Sequence, residues 1–227
     1  MAMSVNKRSD NQTRRYDSPR RRQQADATRR RILASAERLF AAQGYAAVTM
    51  EAIAREAEVS PASLYLHFPG RAAIVGALAE AISAAPDLSV GQVTRDADPV
   101  ELLRVGARIM RQLNERSWLI ADILRSQQGN DSDIARLWAL WRERHLEAMR
   151  RAMGAIARAG GLRRGLSVED AADALYALAG TEVYRALVGE RGWTPEHYER
   201  WLFETSCREL LPNHLAPEPT SERVLDS

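Results

Sequence analysis

Apolar residues in this chain recur at three- and four-residue steps almost from end to end, and no segment alternates with period two for long enough to form a strand. That pattern confines the fold to helices packed on helices, an all-α architecture. Alanine, leucine and arginine, all good helix formers, dominate the composition, and aromatics make up only 6%. A hydrophobic share of 45% in 227 residues supports a buried core in one or two modest domains. No run of about 18 apolar residues is present to span a membrane, and the polar first 25 residues do not read as a secretory signal. A cytoplasmic location is expected. Cys207, the single cysteine, excludes an intrachain disulfide and a cysteine-based zinc site, and its expected role is inert packing.

The pattern divides the chain into a basic arm (1–26), a small helical domain (27–85), a larger helical domain (99–211) and a tail (212–227). Order is expected to begin near Ala27 or Thr28, with Ile32, Leu33, Ala36, Leu39 and Phe40 on one helical face and Gly44 as the stop. Thr49 caps a second helix, Met50 to Ala57, and Ser60-Pro61 opens a third that is spent at Phe68. A fourth starts at Arg71. Pro86 to Asp98, crowded with Pro, Gly, Asp and Ser, is a linker. Further on, helices are expected over Pro99 to Arg116, Ser117 to Gln128, Asp133 to Ala159, Val168 to Gly189, and Thr194 to about Leu211.

Charge is unevenly spread. Residues 1–31 carry ten basic side chains against three acids, so the rest of the chain is net negative. A basic end on an acidic body points to a polyanionic partner met at the N-terminus, while a solvated tail gives the same pattern. Two short helices joined by a three-residue turn and braced by a preceding helix make a helix-turn-helix, with its motif over 49–68. Ala54 is small where the two helices cross, and Val59 and Leu64 plug the space between them. The second helix offers Ser60, Ala62 and Ser63, short side chains that let a backbone approach base edges in a major groove, and ends in Tyr65 and His67.

The stretch TRRRILASAERLFAAQGYAAVTMEAIAREAEVSPASLYLHFPGRAAIVGAL, residues 28–78, resembles the DNA-binding domain of the TetR family of bacterial transcriptional regulators. Ile32, Leu39-Phe40, Gly44-Tyr45, Thr49, Ile53-Ala54, Val59-Ser60, Leu64-Tyr65, His67-Phe68 and Arg71 carry the likeness. The rest of the chain resembles the family in architecture only. Two positions depart from the pattern. Glu58 stands where glycine is usual, and a positive φ there costs about 1 kcal/mol. Arg71 replaces the usual lysine. The resemblance implies that Thr49 meets a phosphate through its hydroxyl and nearby N–H groups. Tyr65, His67 and Arg71 contact the backbone, and Pro61, Ala62 and Ser63 read base edges. Arg20 to Arg22 are expected to follow the adjacent minor groove or flanking phosphates.

A single recognition helix reads too few base pairs for operator-level specificity, so a homodimer is expected, with the last two helices as its interface. Ala172, Leu175, Ala179, Gly180, Val183 and Leu187 permit close approach, and Tyr198, Trp201, Leu202, Thr205 and Leu210 offer a facing surface. Core packing of the same protomer is the competing reading of these stripes. Met110, Trp118, Trp138, Trp141, His145, Met149, Tyr176 and Tyr184 are candidate walls of a mostly apolar pocket, together with Met153, although each also suits an ordinary core. The resemblance implies a small-molecule effector there. Arg108, Arg111 and His145 are further candidates to pair with an anionic ligand.

The function expected is a dimeric repressor released from its DNA operator by an effector. An architectural DNA-binding protein without an effector is the alternative. Catalysis is not expected: there is no phosphate-cradling glycine loop after a strand, no HExxH and no nucleophile elbow. His67, His145, His197 and His214 lack ligand spacing, and no metal or cofactor is expected.

Overall fold

In a computed structural model, residues 19–84 and 98–215 are described. Among them the secondary structure is helical throughout. The arm over 1–18, most of the linker and the tail from 216 lie outside the described residues. The helices are α1 (Pro19–Gln43), α2 (Met50–Glu56), α3 (Pro61–His67), α4 (Arg71–Ser83), α5 (Pro99–Gln127), α6 (Ser132–Arg158), α7 (Val168–Ala179), α8 (Thr181–Tyr184) and α9 (Pro195–Leu210).

Three boundaries differ from the sequence reading. Helix α1 begins at Pro19 rather than at Ala27 or Thr28. Residues 20–27 are exposed, so no apolar stripe marked them. Arginine, glutamine and alanine continue the helix by propensity alone, behind a proline that suits a first turn. Helix α5 runs unbroken through Arg116-Ser117, with Ser117 only 1% exposed in its interior. The expected helix over Val168–Gly189 is broken. Gly180 adopts an extended conformation, α8 is a single turn, and a π-helical turn follows over Arg185–Glu190. The break is held by tertiary partners that no local signal reveals. Buried Asn114 of α5 donates from Nδ2 to the Ala179 carbonyl and to the Tyr198 hydroxyl, and its Oδ1 accepts from the Thr181 hydroxyl.

The apolar interior forms two clusters. One joins α1–α4 to the α5–α6 turn region, and includes Ile32, Phe40, Ile53, Leu64, Phe68, Ile74, Ile120, Leu124 and Ile134. The other packs the N-terminal half of α5 and the C-terminal half of α6 against α7, α8 and α9. Each fully buried Leu, Ile or Phe contributes roughly 1.5–3 kcal/mol, so α5 and α6, anchored in both, tie the two domains together. Cys207 is buried in the second cluster, and burial pushes its thiol up to about 11, which keeps it protonated.

In the N-terminal domain, Gly44 takes φ 77° to end α1, with its N–H donating to Phe40 O. Glu58, in the turn between α2 and α3, takes φ 53° and is the one non-glycine residue with positive φ among the described residues. The turn keeps its geometry at the cost of left-handed strain on a residue with a Cβ. Replacing Glu58 by glycine is therefore expected to stabilise the protein by about 0.5–1 kcal/mol. Urea unfolding of the variant beside wild type checks this, and an unchanged or lower midpoint contradicts it.

Candidate nucleic-acid interface and effector cavity

Helix α3 is positioned from both ends by its own sequence. Ser60 Oγ accepts from the Ser63 N–H at 3.1 Å, Pro61 occupies the first turn, and Leu64 is fully buried beneath. Helix α2 starts the same way, with Thr49 Oγ1 accepting from the Ala52 N–H at 3.1 Å. In both caps the oxygen accepts, which leaves the hydroxyl proton to donate outward. Arg38 of α1 reaches Glu56 of α2 at 3.0 Å, and the Arg29 guanidinium lies over the Phe68 ring at 4.5 Å. The supporting helix thus grips both members of the motif.

The structure gathers Thr49, Ser60, Pro61, Ala62 and Tyr65 as exposed residues, with Ser63 and His67 half-buried. Arg71 is placed differently from the others. Its Nη1 donates to the carbonyls of Tyr45, Ala46 and Val48, at 2.8, 3.3 and 2.8 Å, and its guanidinium sits 4.6 Å from the Tyr45 ring centroid. The side chain clamps the α1–α2 connection, a task that a lysine ammonium on a flexible stem performs less rigidly. Arg71→Ala is expected to cost about 2 kcal/mol in urea unfolding, with Arg71→Lys recovering part of it. Equal stability of the alanine variant and wild type would show the clamp to be idle.

Leu66 was missed from the sequence. It is 85% exposed on α3, beside Tyr65 at 48%. An isolated leucine in a short helix reads as core by composition, and only the register of α3 turns it outward. A solvated leucine on a recognition helix is suited to contact thymine methyls. Leu66→Ser is expected to weaken binding to a specific duplex several-fold while leaving the melting temperature unchanged, read by gel shift and calorimetry.

Tyr45 links this domain to the next. Its hydroxyl donates to Asp131 Oδ2 at 3.2 Å, and Asp131 Oδ1 caps α6 by accepting from the Asp133 and Ile134 N–H groups. Burial and the Asp131 charge push the Tyr45 hydroxyl up to about 12, against the opposing effect of Arg71. At Asp131, burial works upward, but the two N–H groups, the Tyr45 hydroxyl and Arg71 outweigh it and lower the carboxyl's pKa.

A cavity of about 770 Å³ lies where the two apolar clusters meet, lined by α4, α5, α6, α7 and α9. Of the pocket candidates, Met110, Trp141, His145 and Met149 line it, as does Met153. Trp118, Trp138, Tyr176 and Tyr184 do not. Trp118 packs against Gly189, where a Cβ would stand 2.7 Å from the indole, and edge-on to Tyr184. Tyr184 is buried between Trp118 and Tyr198. Trp138 packs on the first cluster with Arg142 over its ring, and Tyr176 sits edge-on to His145. These rings satisfy packing demands set by neighbouring helices, which composition cannot distinguish from a cavity wall. Arg108 and Arg111 are engaged with Glu199, at 3.7 and 2.6 Å, and Arg111 also with Glu115, so they form an internal ion network outside the cavity.

The helices expected to pair two protomers are largely consumed by the chain's own core. Ala172, Leu175, Ala179, Tyr198, Leu202 and Leu210 are all buried, whereas Gly180, Val183, Leu187, Trp201 and Thr205 remain half-buried. Arg20, Arg21 and Arg22 are exposed in the first turns of α1.

A small helical domain with a capped, outward-facing α3, joined to a helical body with an internal cavity, defines a two-domain, all-α protein with an N-terminal helix-turn-helix. Residues 32–78 match the family model for bacterial regulatory proteins of the tetR family, and the N-terminal domain is a TetR-type helix-turn-helix. The fold, over most of the chain, is shared with solved transcriptional regulators. A transcriptional regulator from Saccharomonospora viridis in complex with choline superposes with TM-score 0.66 at 24% identity, over 83% of this chain and 100% of that one. The SmeT–triclosan complex gives 0.68 at 23% identity, over 86% and 100%; SmeT is the repressor of the Stenotrophomonas maltophilia multidrug efflux pump SmeDEF. NalD, the secondary repressor of the MexAB-OprM pump in Pseudomonas aeruginosa, gives 0.67 at 22%, over 84% and 98%. No curated protein matches this chain. Among the described residues, no helix is long and apolar enough to cross a membrane, and no group of His, Cys, Asp or Glu is placed to hold a metal ion.

Proposed function

We propose that the protein is a dimeric transcriptional repressor that leaves its operator when a small molecule enters the cavity between α4, α5 and α6. The observation that carries this reading is the position of the cavity. Gly76, Ala79, Glu80 and Ser83 of α4 line it, and α4 is the helix that follows α3 directly and shares its core. An occupant that spreads α4 from α5 and α6 changes the orientation of α3 relative to the body. In a two-fold dimer, that change mismatches two recognition helices and successive major grooves, and the population shifts to the unbound state. Solved proteins of this fold in complex with choline and with triclosan support a small-molecule ligand.

On DNA, Ser60, Pro61, Ala62, Ser63 and Leu66 face base edges. Thr49, Tyr65 and His67 donate to phosphates, and the exposed arginines at the start of α1 add charge beside them. The dimer forms through the outer faces of α8 and α9. Asp131 and Tyr45 carry the coupling, since α6 both lines the cavity and accepts the hydrogen bond from the DNA-binding domain.

Purified protein mixed with the DNA flanking its own gene is expected to give a discrete, salt-sensitive gel-shift complex that survives excess competitor. Tyr65→Ala is expected to weaken that complex by roughly tenfold or more. A footprint independent of sequence, on that DNA and on duplexes selected from a random pool, overturns the repressor in favour of an architectural DNA-binding protein.

A further inference from the structure

The cavity's shape and charge narrow the class of molecule that enters it, an inference that rests on its proposed role as the effector site. We propose that the ligand is an amphiphilic anion, with a long apolar chain lying lengthwise between α5 and α6 and an acidic head held by Arg144 or Arg158 on the edge of α6.

Length comes first. The lining residues run from Leu102 to Leu124 along α5 and from Leu137 to Arg158 along α6. At 1.5 Å per residue each wall is about 30 Å long. A volume of about 770 Å³ drawn out over that length is a trough suited to an extended chain. Its floor is aliphatic and thioether, with Met110, Met149, Met153 and Leu202 all buried. Methionine adapts to a flexible chain better than a rigid branched wall does.

Charge comes second. The charged lining side chains among the described residues are Arg144, Arg151 and Arg158 against Glu80. The three arginines follow one another at seven-residue spacing, so they share one edge of α6. Arg151 is already engaged with Glu147, as are the neighbouring Arg136 with Asp133 and Arg150 with Glu143 and Glu147. Arg144 and Arg158 have no carboxylate partner among the described residues. Deeper in, the polar groups are uncharged. Burial lowers the His145 pKa and keeps the ring neutral, and the His145 Nε2 and Ser206 Oγ atoms are buried without a partner. A charge does not settle on that floor. A head group therefore stays at the arginine edge while the chain covers the floor. A quaternary ammonium finds no aromatic cage, because Trp141 is the single Trp, Tyr or Phe side chain lining the cavity among the described residues.

The test uses a matched series on the full-length protein: tetradecanoate, tetradecyl phosphate, tetradecanol and tetradecyltrimethylammonium, each below its micelle-forming concentration. Titration by tryptophan fluorescence is expected to give binding of at least one of the two acids roughly tenfold tighter than the alcohol, with the ammonium weakest. The acid preferred identifies a carboxylate or a phosphate head. Arg144→Gln with Arg158→Gln is expected to erase the preference over the alcohol, whereas Arg136→Gln with Arg150→Gln, an equal charge loss off the cavity, leaves it intact. Gly106→Phe is expected to block all four compounds. Gly106 lines the cavity and a Cβ there meets nothing within 4 Å, so the ring enters without backbone strain.

Equal affinity for acid and alcohol, tightest binding of the ammonium, or an acid preference that survives the double variant overturns the proposal. So does unchanged acid binding by Gly106→Phe. Operator release separates this inference from the one beneath it. An alcohol or ammonium that releases DNA overturns the ligand class alone. Acid binding with the expected preference, but with DNA retention unchanged, supports the ligand class and overturns the effector role.

Discussion

Everything in this molecule depends on two long helices being shared between two apolar clusters. Helix α5 contributes Ile120, Ile123 and Leu124 to the cluster under the helix-turn-helix, and Leu103, Ala107 and Met110 to the cluster under α7–α9. Helix α6 is divided in the same way, with Ile134 in one and Met149, Met153 and Ile156 in the other. Helices of 29 and 27 residues are stiff, so the clusters cannot shift independently. The cavity occupies the seam between them, where packing is least complete and where an occupant has leverage on both.

Polar groups make the arrangement specific. Asn114, with no exposure, stitches the end of α7, the start of α8 and the α9 tyrosine into one point. Arg71 and Asp131 perform the equivalent task at the other end, fastening the α1–α2 connection and, through Tyr45, the first turn of α6. Leaving any of these groups unpaired costs more than the bond itself gains, which favours one register over its neighbours. Helix α3 inherits its orientation from its packing and fastenings, because a seven-residue helix has little stability of its own.

Much of the helix-turn-helix geometry was legible in the residues. Thr49 and Ser60 cap by local chemistry, Pro61 suits a first turn, and the period of Ile53, Ala54 and Leu64 assigns the inner side without reference to distant partners. Leu66 escaped because hydrophobicity alone assigns leucine inward, whereas its register on α3 turns it out. Arg71 was legible as a cation at the right place, but not as a clamp, since its three carbonyl partners lie more than twenty residues away in sequence. Half of the pocket candidates fell elsewhere for a related reason. Trp118, Trp138, Tyr176 and Tyr184 are as large and apolar as Trp141, and their destinations depend on which helix faces them.

Taken alone, then, the residues determined the helical class, the caps and most of the short-range geometry of the helix-turn-helix, because those follow from periodicity and from hydrogen bonds spanning three or four positions. Tertiary structure decided the break at Gly180, the burial of the α7 and α9 stripes within one protomer, the clamp at Arg71 and the course of the cavity between α5 and α6. Each of these turns on contacts between residues far apart in the chain. Their free energy is gained only once the helices have packed, and no local pattern encodes which faces will meet.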